Sequence, residues 1–391
     1  AATWGGGVYS GTISNSVLLG NRSTAGSIFG GGGAAWSRVF NTMILSNVAG
    51  TISGGGAITS LLSNCRIIGN IGGTVDCTIF DSEISANESY GMYRGSAFNT
   101  LISSNRSASD GVGGGATLAS LSNCVIYANW ARHGGGIFNS TLNYCTVSNN
   151  FATNYGGGIF RGNTLTPSGS GNVIAGNSSG LSGGGFYATS STTVALTNWI
   201  FINNSTDGQG GALHMNSGTL SLYNCRFDGN SAGGNGGGIF SQAFNATCIT
   251  SSFSNNIAGG FGGGTHSVNV NDCVLVGNRA VSGGGVYNGS VSNSLFYRNS
   301  ALLDGGGYWG AGGLRNCSFL ENTAGGNGGG AHSGNAAIAD CTFDGNSSVT
   351  NGGGLFVTVT AQIRNSSFLN NRSTFGGGSY NGTFNETLFL G

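Results

Sequence analysis

The chain has 391 residues, of which 78 are glycine and one is proline, and its 13 arginines balance 13 acids with no lysine present. A near-neutral chain of this kind lacks the basic stripe that nucleic-acid binding needs, and none of its apolar runs approaches membrane-spanning length. Glycine at this level without a period would mean disorder, but here it recurs in register with large apolar residues.

The first glycine block begins at Gly5 and leads into Val8 and Tyr9. The stretch Ser16-Val17-Leu18-Leu19-Gly20-Asn21 follows. The same sentence is then repeated along the chain, seen most plainly as Gly134-Gly135-Gly136-Ile137-Phe138 and Asn143-Tyr144-Cys145-Thr146-Val147-Ser148-Asn149-Asn150. Its closing residue recurs as Asn21, Asn47, Asn70, Asn87, Asn105, Asn129, Asn150 and Asn177. It continues as Asn204, Asn230, Asn256, Asn278, Asn299, Asn322, Asn346 and Asn371. The spacing runs from 17 to 27 residues and averages about 23. A period in this range signals a solenoid rather than a globular domain.

Three residues before each closing Asn stands a large apolar residue, from Leu18, Ile44 and Ile67 to Phe319, Phe343 and Phe368. Two residues earlier again stand small side chains such as Ser16, Thr42, Cys65, Cys124, Cys145, Cys225, Cys273, Cys317 and Cys341. This period of two predicts a strand with these positions facing a core. Strands that recur every 23 residues or so stack coil on coil, with equivalent residues about 4.8 Å apart. The closing Asn is expected to form a ladder at a turn, where an amide can bond to its copies and where left-handed backbone is tolerated. Gly-Gly-Gly is expected to supply a corner that needs positive φ or close backbone approach. The fold class is therefore all-β, a parallel β-helix of about 17 coils. It is expected to run as one continuous domain over residues 1–391, uncapped at both ends, as a rod of roughly 80 Å.

The glycine block usually ends in an aliphatic and then an aromatic or histidine. The second of these residues is Tyr9, Phe138, Phe160, Tyr187, His214, Phe240, His266, Tyr287, Trp309, His332, Phe356 or Tyr380. If the aliphatic points inward, this column forms an outward contact stripe; the opposite orientation would make it core. The three histidines fall two and three coils apart, too far for a metal site, and replace an aromatic in a stack. The outer positions of the closing strand are also apolar, as at Val17 and Leu19, Met43 and Leu45, Ile200 and Ile202, Val274 and Val276, Leu295 and Tyr297. This predicts lateral packing. Among the acids, Asp76, Asp81 and Glu83 are the densest group, and no arginine cluster is expected to face them. No catalytic, cofactor or metal residues are expected. The nine cysteines read mainly as buried small side chains.

Gly210-Gly211-Ala212-Leu213 with Phe227-Asp228-Gly229-Asn230, and Gly54-Gly55-Gly56-Ala57 with Phe343-Asp344-Gly345-Asn346, resemble the repeats of polymorphic outer-membrane proteins. Those repeats carry Gly-Gly-Ala before an aliphatic, and Phe-x-x-Asn. The resemblance implies a right-handed, single-stranded parallel β-helix that is secreted or surface-exposed and usually adhesive. It carries over no catalytic residue.

The chain begins at Ala1 rather than Met, which reads as removal of a secretory signal. Localisation is expected to be secreted, extracellular or at the cell surface. Ala1 and Trp4 at one end are nearly in phase with Phe389 and Gly391 at the other. Head-to-tail contact of that kind builds open filaments. The leading expectation is accordingly a filament subunit whose partner is itself. The alternative is an adhesin that binds glycans or host surfaces, and a polysaccharide lyase or hydrolase ranks third.

Overall fold

A computed structural model describes residues 6–23, 30–49, 54–107, 111–162, 169–189, 193–243, 245–334, 337–359 and 361–391. It is all-β, a parallel β-solenoid of about 15 turns, close to the 17 expected, and the described residues contain no helix. Contacts cluster into two units, Ala1–Gly180 with Gly185–Tyr187, and Leu181–Gly184 with Ala188–Gly391.

A typical coil is built from four short strands, and in places the first two merge, as in Thr74–Phe80. In the first unit one coil runs Ile137–Phe138, Thr141–Asn143, Thr146–Ser148 and Phe151–Tyr155. In the second unit a coil runs Ile239–Ser241, Asn245–Ile249, Ser252–Ser254 and Ile257–Ala258. We call these the glycine, middle, closing and return strands. Equivalent strands pair in parallel from coil to coil, as in Phe227↔Phe253 and Phe253↔Leu275. The middle and return strands are the two that the periodicity does not single out.

The column three before the closing Asn is the core. In the first unit it is aliphatic, with Ile44, Ile67, Ile84, Ile102, Ile126, Val147 and Ile174 all fully buried. In the second unit it becomes phenylalanine on both sides of Leu275. The rings of Phe201, Phe227 and Phe253 are 4.9 and 4.8 Å apart, and those of Phe319, Phe343 and Phe368 are spaced by 4.9 Å. Each buried ring contributes about 2–3 kcal/mol by area alone.

Three consecutive glycines are needed for three reasons, seen at Gly236-Gly237-Gly238. Gly236 has φ 68°, in the left-handed region. A methyl at Gly237 would lie 2.5 Å from the carbonyl oxygens of both Gly263 and Ile257. A methyl at Gly238 would lie 2.5 Å from the carbonyl oxygen of Gly264. The corner is therefore closed against side chains by the coil above it.

The closing asparagines form two buried hydrogen-bonded ladders, one in each unit. Asn129 donates its backbone N–H and its Nδ2 to Asn150 Oδ1, each at 2.9 Å, and Nδ2 also to the Ile102 carbonyl at 2.9 Å. Asn256 does the same toward Asn278 and the Phe227 carbonyl, while its own Oδ1 accepts Asn230 N–H and Nδ2 at 3.0 and 2.9 Å. Every donor and acceptor of the amide is thus used. The left-handed turn, expected at the closing Asn, lies one residue earlier, as at Ser46, Ala86, Asn149, Asn255, Arg298 and Glu321. The reason is steric economy. The ladder side chain has to point inward, so the residue before it takes the turn and faces solvent.

Asn256→Ala should remove two donors and one doubly used acceptor inside the fold, leaving Asn230 N–H buried and unmatched. A loss of about 3 kcal/mol is expected, read as the urea midpoint. Asn255→Ala, at the exposed turn, should cost about 1 kcal/mol. Equal losses would show that the turn, rather than the ladder, holds the coils.

Candidate contact surfaces

The glycine strand positions the aromatic column. Ile137, Leu213, Ile239, Val286 and Leu355 turn fully or almost fully inward, so the residue after each points out. In the second unit the outward residues form one continuous stack. The ring centroids of His214, Phe240, His266, Tyr287 and Trp309 are separated by 5.0, 4.9, 4.9 and 4.4 Å. His332, Phe356 and Tyr380 extend the stack at 5.6, 4.7 and 5.4 Å. In the first unit Phe138, Phe160 and Tyr187 stack at 5.4 Å.

As a contact stripe, however, most of this column is closed. Tyr187, His214, Phe240 and His332 are buried, Phe138, Phe160, His266, Tyr287, Trp309 and Phe356 are half-buried, and only Tyr9 and Tyr380 are exposed. Neighbouring rings cover one another, and some are also covered by a residue before a glycine block, as where Tyr155 stacks on Tyr187 at 4.6 Å and Phe261 on Tyr287 at 4.7 Å. Stacking that stabilises the column also consumes the faces a ligand would use.

The histidines belong to this stack. One ring separates His214 from His266, and two separate His266 from His332. No metal-binding group of side chains occurs among the described residues. Burial pushes the pKa of both His214 and His266 down to about 4. Burial also lowers that of His332, opposed by Asp304, whose Oδ2 lies 3.7 Å from Nδ1.

No arginine cluster was expected to face the acidic group in the first unit, and two of its three acids are each paired with a single arginine from a neighbouring coil. Arg94 reaches Asp76 at 2.6 Å and Arg66 reaches Glu83 at 2.8 Å. Asp81 accepts Asn99 Nδ2 at 3.0 Å. A bond from the Ser85 hydroxyl and then Arg66 hold the Glu83 carboxyl below its usual range. The close spacing of these acids in the sequence reflects short coils, whose stacked charges are neutralised from the coil before or after.

All nine cysteines are free and buried. The seven in the column before the closing strand share one role with serine and threonine. Cys225 donates its thiol to the carbonyl two residues back at 3.4 Å, as Ser251 does with its hydroxyl at 2.9 Å. The same atoms accept the N–H of the preceding coil, from Cys225 to Ser251 Oγ at 2.9 Å and from Ser251 to Cys273 Sγ at 3.4 Å. Burial raises the Cys225 thiol to about 11 and the Cys77 thiol to about 12. Cys225 and Cys77 are thus structural donors rather than reactive thiols.

Just before this column runs a second Asn ladder, which the sequence reading missed. It lies on the surface. Asn64 Nδ2 donates to Asn41 Oδ1 at 2.8 Å, Asn123 to Asn99 at 2.7 Å, Asn224 to Asn198 at 2.7 Å and Asn316 to Asn293 at 3.0 Å. Its members have left-handed φ. The signal was present as an Asx followed by Cys, Ser or Thr, in Asn41-Thr42, Asn64-Cys65, Asp81-Ser82, Asn123-Cys124 and Asn316-Cys317.

The surface that stays open is the outer face of the closing strands. Val17 is 58 % and Leu19 63 % exposed, and Leu101, Val125, Tyr127 and Val274 are also exposed. Met43, Leu45, Ile200, Ile202, Val276, Leu295 and Tyr297 are half-buried. Of the four end residues singled out in the sequence, Ala1 and Trp4 lie outside the described residues. Phe389 stacks on Phe368 at 4.9 Å, with Gly391 two residues on.

Two stretches match the Chlamydia polymorphic membrane protein repeat. They are residues 224–242 and 340–358, both in the second unit. Each match spans one Asx corner, one closing strand with its ladder Asn, and one glycine block with its stacked aromatic, Phe240 or Phe356. The resemblance to polymorphic outer-membrane repeats therefore holds at the coil level, on the ladder, the turn and the corner. No curated protein matches the chain.

Because His214 and His266 are held neutral, the unfolded chain binds more protons than the folded one between pH 4 and about 6.5. Stability is fully present above about 6.5 and is lost as pH falls toward 4. For His214 alone the loss at pH 5 is about 2 kcal/mol. The urea midpoint should drop between pH 7.5 and pH 5, and His214→Phe with His266→Phe should flatten that dependence.

Proposed function

We propose that this protein is a surface-displayed, non-catalytic β-helix that adheres through the outer face of its closing strands. The observation that carries this reading is the set of apolar side chains left open there, including Val17, Leu19, Val125, Tyr127 and Val274. An outer face in water is ordinarily polar, and an apolar patch such as that of Leu101 and Val125, adjacent in register in the first unit, marks a contact site. The match to a polymorphic membrane protein repeat supports display at the cell surface as a passenger-type β-helix.

The face is rigid where its strand is paired on both sides, as Val125–Tyr127 is between Leu101–Ser103 and Thr146–Ser148. It therefore offers contact area with little ordering cost. The same flat apolar face also favours a second reading, lateral packing of copies of this chain.

Beads coated with the intact chain are expected to adhere to cultured epithelial cells. Val125→Asp with Tyr127→Asp should lower the number bound severalfold while circular dichroism stays unchanged. Unchanged adhesion by that variant would remove the closing face from the proposal. Mass photometry and negative-stain microscopy of the same preparation separate the readings. Single-chain masses support an adhesin, and long fibres or bundles would replace it with a self-assembling polymer.

A further inference from the structure

The middle strands of the second unit form a sheet of nine, from Thr193–Thr197 to Thr383–Asn385. Their outer positions are occupied mostly by Thr, Ser, Asn and Ala. Only two charged residues occur in all nine strands, Arg315 and Arg364, and both are exposed. They share one outward column, with Ala339 between them in register with each. At the stacking distance their α-carbons are roughly 10 Å apart.

These arginines differ from others in the chain. Arg66, Arg94, Arg226 and Arg298 each hold a carboxylate, whereas Arg315 and Arg364 take part in none of the ion pairs found among the described residues. Beside Arg315 the sheet surface sinks into a shallow depression of about 450 Å³. Its lining combines small residues, among them Ser290, Ser292, Gly313 and Ala339, with the aliphatics Val291 and Leu314 and the charged Arg315 and Asp340.

From this arrangement we propose that the outer face of the middle sheet binds an acidic polysaccharide, laid along the stacking direction, with successive acidic groups on Arg315 and Arg364. The reasons are chemical. A guanidinium without a partner is a ready fork for carboxylate or sulfate. Two such forks about two coils apart suit acidic groups that recur on a disaccharide period. The small residues leave room for sugar rings, and the Ser290 hydroxyl offers a hydrogen bond, whereas that of Ser292 already donates to Asn271 Oδ1 at 2.6 Å.

A peptide strand finds no edge here, because the backbone groups are already spent between coils, as in Val291 N–H to the Gly313 carbonyl at 3.0 Å and Leu314 N–H to that of Ala337 at 3.2 Å. The depression has no aromatic ring on which a nucleic-acid base could stack. Asp340 is the opposing charge at the depression, and its Oδ1 accepts Asn365 Nδ2 at 3.3 Å, while Glu386 follows Asn385, the register partner of Arg364. Asp340 should weaken the site that the arginines create.

The test is binding of the intact chain to a heparin oligosaccharide, with uncharged dextran of similar length as control, at low and at high salt. Binding to heparin and not to dextran is expected, weakening as salt rises. Arg315→Gln with Arg364→Gln should reduce it about tenfold. Asp340→Asn, which installs the residue found at the equivalent corners 293, 316 and 365, should strengthen it. Arg226→Gln, on the closing strand, should leave it unchanged. Equal binding of heparin and dextran, no binding, or no response to the paired arginine change would overturn the proposal, as would tighter binding of an acidic peptide or single-stranded DNA. The Val125→Asp, Tyr127→Asp variant alters a different face in the other unit, so loss of heparin binding and loss of cell adhesion can be told apart.

Discussion

The interaction on which everything else rests is one buried amide bonding to the next. A parallel stack of short strands has strong hydrogen bonds along its axis but little to stop one coil from slipping in register against another. The closing Asn removes that freedom. Its Oδ1 accepts two donors from the coil before it, and its Nδ2 reaches both the coil behind and the coil ahead. A slip of one residue would leave all of these groups buried and unmatched at several kcal/mol per coil. The register so fixed places the Phe column ring on ring and brings the glycine corners within a distance that no side chain could survive.

Around this ladder the coil divides its outer surface by chemistry. The glycine strand turns its aromatics into a stack that mostly closes on itself. The closing strand exposes aliphatics, the Asx corner exposes a column of amides, and the middle strand of the second unit exposes hydroxyls and small residues with two arginines. None of these surfaces has to provide the stability of the fold. The interior columns, filled by Ile or Phe, by Cys, Ser or Thr, and by Asn, already do so. Outer positions are consequently free to change chemistry from coil to coil, as the sequence of Arg66, Glu83, Leu101 and Val125 along one column illustrates.

Much of the architecture was legible because it repeats. A large apolar residue three before Asn, at every coil, states a strand and its inward face without further help. The middle and return strands were harder to see, since they are short and their outer residues vary. The turn was misplaced by one residue because Asn tolerates left-handed backbone and so drew the turn to itself. The structure shows that an inward amide and an outward turn have to be neighbours, as Asn255 and Asn256 are. The orientation of the aromatic column was readable from its aliphatic partner, but its burial was not, because rings are covered by residues such as Tyr155 and Phe261 that follow no fixed pattern. The pairing of Asp76 with Arg94 escaped for a related reason. Partners on adjacent coils are 18 residues apart in the chain, and charge proximity across that gap appears only once the register is known.

The ladder also bears on how such a chain can change its length. Each coil presents to the next the same amide, the same carbonyl and the same inward ring or aliphatic, whatever its number of residues between 17 and 27. A segment cut at any two equivalent asparagines therefore carries matching top and bottom surfaces. Duplicating or deleting it in the gene would create no new junction chemistry, because the joined coils would meet through bonds they already make. Growth and shrinkage by whole coils are thus open to simple recombination, and the positions of outer features such as Arg315 and Arg364 can be moved apart or together in steps of one strand spacing.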